Sequence, residues 1–270
     1  MPDAETETRP RGEVIGTAEN GIGWVTFSNP TRYNALSFGM VRSIPPLLQA
    51  MAADSAVKVL VVTGAGDKAF VSGADISEFG ERRTGEEARA EYDRAQAEAE
   101  AAWAGLEKPV IAKIRGFCLG GGLRLALQAD IRIAAEGSQF AVPAARLGLG
   151  YGLGAVEQLV QIVGPSWAAE ILFSARRLSA DEGLRSGLVN RLVPADQLDD
   201  AVLELATTIA GNAPLTVRAA KAAIQETARN RADLDRARIR EMVETCFRSD
   251  DYKEGQRAFL DKRPPVFRGR

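Results

Sequence analysis

Between Pro109 and Asp130, an apolar run from Val110 to Ile114 leads into three consecutive glycines, Gly120, Gly121 and Gly122. Leu123, Leu125, Ala126, Leu127 and Ala129 follow. The first part has the length and composition of a buried strand, the last part those of a buried helix. A strand that feeds a glycine turn and then a helix leaves main-chain N–H groups without partners at the helix start. With the helix dipole behind them, such donors suit a developing negative charge. Glycine removes the Cβ that would keep a ligand off the backbone. The alternative is a tight, closely packed strand-to-helix turn with no chemical role.

Three other stretches carry glycines, and one of them can expose backbone in the same way. In Ser72-Gly73-Ala74-Asp75, Gly73 permits a sharp turn that points the Ala74 N–H outward; the alternative is an ordinary loop in which Asp75 or Ser77 caps the next helix. Gly64, Gly66 and Ala69 match a dinucleotide fingerprint, but that fingerprint needs a helix to begin inside it, and Ala69-Phe-Val-Ser-Gly reads as extended chain and turn. Gly150-Tyr-Gly-Leu-Gly-Ala155 precedes a helix, but no clean strand leads into it.

Around these stretches the chain alternates between strand and helix patterns. A hairpin is expected over Glu13–Phe27, turning at Asn20-Gly21. Ser37 caps a helix over 38–53, which Pro45 and Pro46 should kink or split. Val57–Val62 reads as a buried strand, and Arg82–Leu106 as a solvated helix rich in Ala, Glu and Arg. A strand over 130–136 gives way to an irregular segment, 138–154, and then to two short helices over 156–164 and 166–173. Ser179-Ala-Asp-Glu182 is a capping box, Leu188–Val193 a last strand, and the rest is helical to about Leu260. The expected architecture is α/β: a disordered tail over 1–11, a core over 12–195 and a helical region over 196–270.

Composition removes several classes of function. The 270 residues include no histidine, which excludes a Ser-His-Asp triad, a Cys-His pair and a histidine metal site. Cys118 and Cys246 stand far apart and make no disulfide framework or zinc site, which fits a reducing cytoplasm. A net charge of -2 suggests neither a nucleic-acid nor a membrane surface, and no apolar run is long enough to span a bilayer.

The chain resembles the crotonase (enoyl-CoA hydratase/isomerase) superfamily along nearly its whole length. The resemblance rests on Asn29-Pro30 with Asn34-Ala-Leu36, Lys68 to Ile76, Gly116 to Gly122, Phe140 to Pro143, Gly187 to Val193, and Ala258 to Lys262. It implies a crotonase-like spiral of ββα units with two roughly perpendicular sheets and a helical C-terminal region that forms trimers or pairs of trimers. It also implies an acyl-CoA thioester as ligand, with coenzyme A entering only as part of the substrate and no metal. Ala74 and Gly121 would form an oxyanion hole, and both would also touch CoA. Arg32, Ser72 and Ile76 would line the adenine end, and Phe259 and Lys262 would reach CoA from a neighbouring subunit.

One part of the family pattern is missing. Where hydratases of this family carry two glutamates, the matching positions here hold Arg124 and Ala144. Arginine stays protonated and cannot serve as a base, and alanine transfers no proton. Arg124 can instead pair with a substrate carboxylate or form a surface salt bridge. Tyr151 and Glu157 are candidates for the same pocket, although Glu157 also suits an exposed helix face. Asp75 suits a structural cap, and Arg146 can partner a nearby acid. Three readings follow: a hydratase or isomerase with a different base; a decarboxylase, C–C lyase or thioester hydrolase acting on a carboxylated acyl-CoA; or an acyl-CoA-binding protein without catalysis.

Overall fold

The computed structural model describes residues 12–78, 86–147, 149–227 and 235–270. The tail expected over 1–11 lies outside them. The chain opens with β1 (Glu13–Glu19) and β2 (Ile22–Ser28), an antiparallel hairpin that turns at Asn20 and Gly21, as expected. The helix α1 (Phe38–Ala53) follows, with the Ser37 side chain accepting from Met40 N at its start. It runs as one helix through Pro45 and Pro46 and is not split there. Met40, Val41, Ile44, Leu48 and Met51 are buried along one face, and each buried side chain of this size contributes roughly 1.5–3 kcal/mol. Together they outweigh the cost of about 3 kcal/mol for an interior proline.

A repeat then sets the architecture. β3 (Val59–Gly64), β4 (Ala69–Val71) and α2 (Glu86–Ala104) form one unit. β5 (Val110–Ile114), β6 (Phe117–Leu119) and α3 (Gly121–Leu127) form the second, and β7 (Ile131–Ala135), β8 (Gln139–Ala141) and α4 (Leu153–Ser174) the third. The first strand of each unit joins a six-stranded sheet and the second joins a four-stranded sheet. Their orders are β1-β2-β3-β5-β7-β10 and β4-β6-β8-β9, where β9 is Leu178–Ser179 and β10 is Arg191–Val193. Neighbouring units pair in parallel in both sheets. This is the crotonase spiral of ββα units.

Strand alternation divides the core in two. Leu60, Val62, Val110, Ala112 and Ile114 face the main interior, together with α1 to α4. Val59, Val61, Ile111 and Ile133 face the other way, against Leu198, Val202 and Ala206 of α6 (Leu198–Gly211). Both faces of the sheet are thus covered, as a parallel sheet requires. Between the sheets and α6, α5 (Ala180–Arg185) starts at the expected capping box. Helices α7 (Pro214–Thr227), α8 (Arg236–Arg248) and α9 (Asp250–Leu260) complete the chain.

Two local differences bear on the site. The strand β6, between Arg115 and the glycines, was not anticipated. α3 begins at Gly121, inside the glycine run rather than after it. The two helices expected over 156–164 and 166–173 are present as the two halves of α4, which meet at a kink at Gly164, whose φ of 73° and ψ of 166° are not helical.

Candidate active site

Two turns meet beside the four-stranded sheet. The first, Ser72–Asp75, leaves the end of β4. Leu36 N donates to Gly73 O at 2.8 Å and Asp75 N donates to Leu36 O at 2.8 Å. These bonds engage the residues on either side of Ala74 and turn the Ala74 N–H away from Leu36. Leu36 is itself held by the loop before it. Asn34 donates to Ala65 O and Ala69 O at 2.9 and 2.8 Å, and Asn29 donates to Ala35 O at 2.9 Å. The Asn29–Leu36 motif is thus a brace for the Ala74 turn.

The second turn joins β6 to α3. Gly120 N donates to Ala141 O at 2.8 Å, and Gly120 has φ 52° and ψ -114°, a combination closed to residues with a Cβ. Gly121 is the first residue of α3, where an N–H has no helical partner. The turns approach closely: a Cβ built on Gly121 would lie 3.5 Å from Ala74 N. Among the described residues, no group accepts from the Ala74 or the Gly121 N–H. Two free donors therefore border one space.

That space is a cavity of about 750 Å³, bordered by Ala74, Gly121, Arg124, Ala144 and Tyr151. Leu36, Ile44, Leu125, Val142 and Leu149 give it apolar walls. All five sequence-predicted catalytic positions therefore come together. Ser72 also lines the cavity, and its hydroxyl donates to Arg32 O at 3.1 Å.

Other candidates lie elsewhere. Arg32 donates to Asp75 Oδ1 at 2.6 Å and to Ser77 Oγ at 2.5 Å. Asp75 also accepts from Ser77 N at 3.0 Å, so it is a structural cap and not a base aimed at the cavity. Ile76 opens the short turn after it. Glu157 is exposed on α4, and Arg146 is exposed after β8. Phe259 lies at the end of α9, with Lys262 exposed just beyond.

Sequence reasoning expected the α2 helix but missed that one of its faces turns to the cavity. Ala95, Ala99 and Trp103 are buried four residues apart and fix the helix against the core. Tyr92 stacks on Phe38 with ring centroids 6.2 Å apart. The adjacent stripe, Tyr92, Gln96 and Glu100, therefore turns toward the cavity, with Trp103 beside it. The signal was the apolar four-residue spacing, which a reading of charge alone passes over.

Glu100 forms an ion pair with Arg124. The side chains are 36% and 35% exposed, so both retain access to the cavity. The pair is one of distance only: no described donor is directed at Glu100 Oε1 in hydrogen-bond geometry. The Trp103 indole N–H is also buried, without an acceptor among the described residues. Burial raises the Tyr151 phenol above its ordinary pKa; the Arg124 charge opposes this and the Glu100 charge adds to it. Tyr151 is therefore neutral at physiological pH. Among the described residues there is no cluster of three or more acidic, cysteine or histidine side chains able to hold a metal.

The spiral of ββα units defines the fold class, and comparison with known proteins gives its family. A profile of the enoyl-CoA hydratase/isomerase family matches residues 17–270, so the chain belongs to that family. The short-chain-enoyl-CoA hydratase of Clostridium acetobutylicum is 36% identical over 93% of this chain and 95% of its own. The crotonyl-CoA hydratase of Syntrophomonas wolfei is 38% identical over 94% and 97%. Among solved structures, an enoyl-CoA hydratase/carnithine racemase from Magnetospirillum magneticum superposes with a TM-score of 0.89 at 36% identity, covering 95% of this chain and 96% of that one.

Proposed function

We propose that this protein binds an enoyl-CoA thioester and catalyses its hydration, or a closely related isomerisation, through a thioester enolate. The observation that carries the reading is the pair of free N–H groups, Ala74 and Gly121, at the edge of one apolar cavity. The thioester oxygen accepts from both. As water adds to the β-carbon, the double-bond electrons move toward that oxygen, and the two donors stabilise the charge as it develops. The apolar walls exclude bulk water and strengthen both contacts. Similarity to the two hydratases supports an enoyl substrate.

A carboxylated acyl group, bound by Arg124 and open to decarboxylation, C–C cleavage or thioester hydrolysis, is the second reading. The Arg124 charge is already met by Glu100, which favours an uncharged acyl group. As in the family resemblance, Arg32, Ser72 and Ile76 serve the adenine end, and Phe259 and Lys262 reach CoA from a neighbouring subunit of a homotrimer or hexamer. Exposed apolar side chains on or beyond the C-terminal helices, Ile224, Leu260 and Val266, support assembly. No described helix is long and apolar enough to cross a membrane, and we read the protein as cytoplasmic.

The test is turnover of crotonyl-CoA, followed by loss of enoyl thioester absorbance, with butyryl-CoA binding measured in parallel. Turnover is expected. Binding without turnover points to a silent acyl-CoA-binding protein, and tighter binding of a dicarboxylic acyl-CoA than of butyryl-CoA points to the second reading.

A further inference from the structure

The cavity holds two buried polar groups whose hydrogen bonding is incomplete, three residues apart on one face of α2. Glu100 Oε1 meets the Arg124 guanidinium as an ion pair but is not closed by a hydrogen bond of normal geometry, and Trp103 Nε1–H can donate but meets no described acceptor. A buried donor left open like the Trp103 N–H is rare in native proteins, because it costs free energy until a partner arrives. Trp103 is only 4% exposed, so bulk water does not satisfy its N–H. Both residues line the space that Ala74 and Gly121 border. One hydroxyl-bearing ligand atom, a water or the hydroxyl of a 3-hydroxyacyl thioester, can satisfy both: its O–H donates to Glu100 and its oxygen accepts from Trp103.

We infer that Glu100 is the catalytic acid–base of this protein, replacing the two glutamates whose positions Arg124 and Ala144 now occupy, and that Trp103 holds the oxygen that is added or removed. The inference rests on the enolate reading above. In hydration, the Glu100 carboxylate takes one proton from water while the water oxygen bonds to the β-carbon. The double-bond pair moves onto the α-carbon and the thioester oxygen, where the Ala74 and Gly121 N–H groups meet the charge. Protonated Glu100 then gives its proton to the α-carbon. One water is consumed, and the carboxylate is restored. With a saturated thioester, the same carboxylate removes and returns an α-proton. Arg124 keeps the pair neutral overall, which lowers the cost of holding a carboxylate at the cavity wall.

The experiment uses the full-length protein. Exchange of the α-protons of butyryl-CoA in D2O is followed by mass spectrometry, and crotonyl-CoA hydration by absorbance, for wild type, E100Q, E100D and W103F. Each variant is checked for butyryl-CoA affinity by calorimetry. Glu100→Gln is expected to lower exchange and hydration by roughly a hundredfold or more, the range of general acid–base catalysis, while affinity stays within about threefold. Glu100→Asp should recover part of the loss. Trp103→Phe should lower hydration about tenfold, as one lost hydrogen bond would, and leave exchange nearly unchanged. Wild type and E100Q with equal activities would overturn the assignment of Glu100 and leave the enolate reading intact. A wild type that binds butyryl-CoA but neither exchanges nor hydrates would overturn both.

Discussion

Ala74 and Gly121 offer main-chain N–H groups on two turns that approach within ordinary contact distance, whereas Glu100, Trp103, Arg124 and Tyr151 reach the same cavity as side chains from two helices and a loop. The first half is fixed by backbone dihedrals and by main-chain hydrogen bonds with Leu36 and to the Ala141 carbonyl. The second is fixed by helix packing and one ion pair. A main-chain donor survives almost any substitution of its own side chain, but a side-chain acid can be exchanged in one step. On the proposed reading, that difference lets the Ala74 and Gly121 N–H groups stand at the cavity while Arg124 and Ala144 occupy the positions where the family resemblance expects glutamates.

The sharpest way to break the comparison is Gly121→Ala. Its methyl would lie 3.5 Å from Ala74 N and 3.6 Å from Leu36 Cδ1, both ordinary contacts, so the fold should tolerate it. The same methyl crowds the space beside both donors. Loss of about 10²–10³-fold in kcat/KM is expected, the usual cost of disabling one oxyanion donor. The melting temperature should stay within about 4 °C of wild type. A variant that keeps full activity would show that the enolate charge lies elsewhere.

Gly122→Ala should do the reverse. Here a Cβ would lie 1.9 Å from Val71 O, a main-chain atom of β4 that cannot swing aside. Overpacking of this kind costs about 1–3 kcal/mol, and a displaced β4 carries the Ala74 turn with it. Denaturant unfolding should show the loss directly, with activity falling alongside. If Gly122→Ala leaves stability intact and Gly121→Ala unfolds the chain, the roles given to the two glycines are exchanged.

The backbone half was legible in the sequence because its signal is local. A glycine beside Ala74 and three glycines before an apolar helix announce turns and free donors within a few residues. The dinucleotide-like Gly64–Ala69 segment could be set aside on the same grounds, and β4 does begin at Ala69 where that fingerprint needs a helix. The spiral itself was reached through resemblance to a family rather than through periodicity, since β6 and β8 are each only three residues long. The side-chain half was only partly legible. Arg124 and Tyr151 were singled out by position, but their partner Glu100 sits in a helix whose charges looked like an ordinary solvated face. What turns Glu100 inward is the burial of Ala95, Ala99 and Trp103 against distant elements, and nothing near Glu100 in the chain states it. The continuity of α1 through Pro45 and Pro46 was hidden for the same reason, because the packing that outweighs the prolines is tertiary.

Tyr151 gives the gentlest test of the side-chain half. Burial holds its phenol above the ordinary value, so the proton is more tightly bound in the folded chain than in the unfolded one. Below the unfolded value of about 10, both states keep the proton, and the tyrosine's contribution to stability is fully present. As pH rises from there through the folded value, the unfolded chain ionises first and that contribution is lost. The difference in unfolding free energy between wild type and Tyr151→Phe should therefore be flat from pH 7 to 9 and shift against wild type above about pH 10. The activity of Tyr151→Phe should fall less than about tenfold, with an unchanged pH profile below 9, because a neutral phenol carries no proton-transfer load there. A pH-rate profile that loses a limb near neutrality in this variant would place the acid–base role on Tyr151. A stability difference that stays constant through pH 11 would mean that its phenol is not buried in the folded chain.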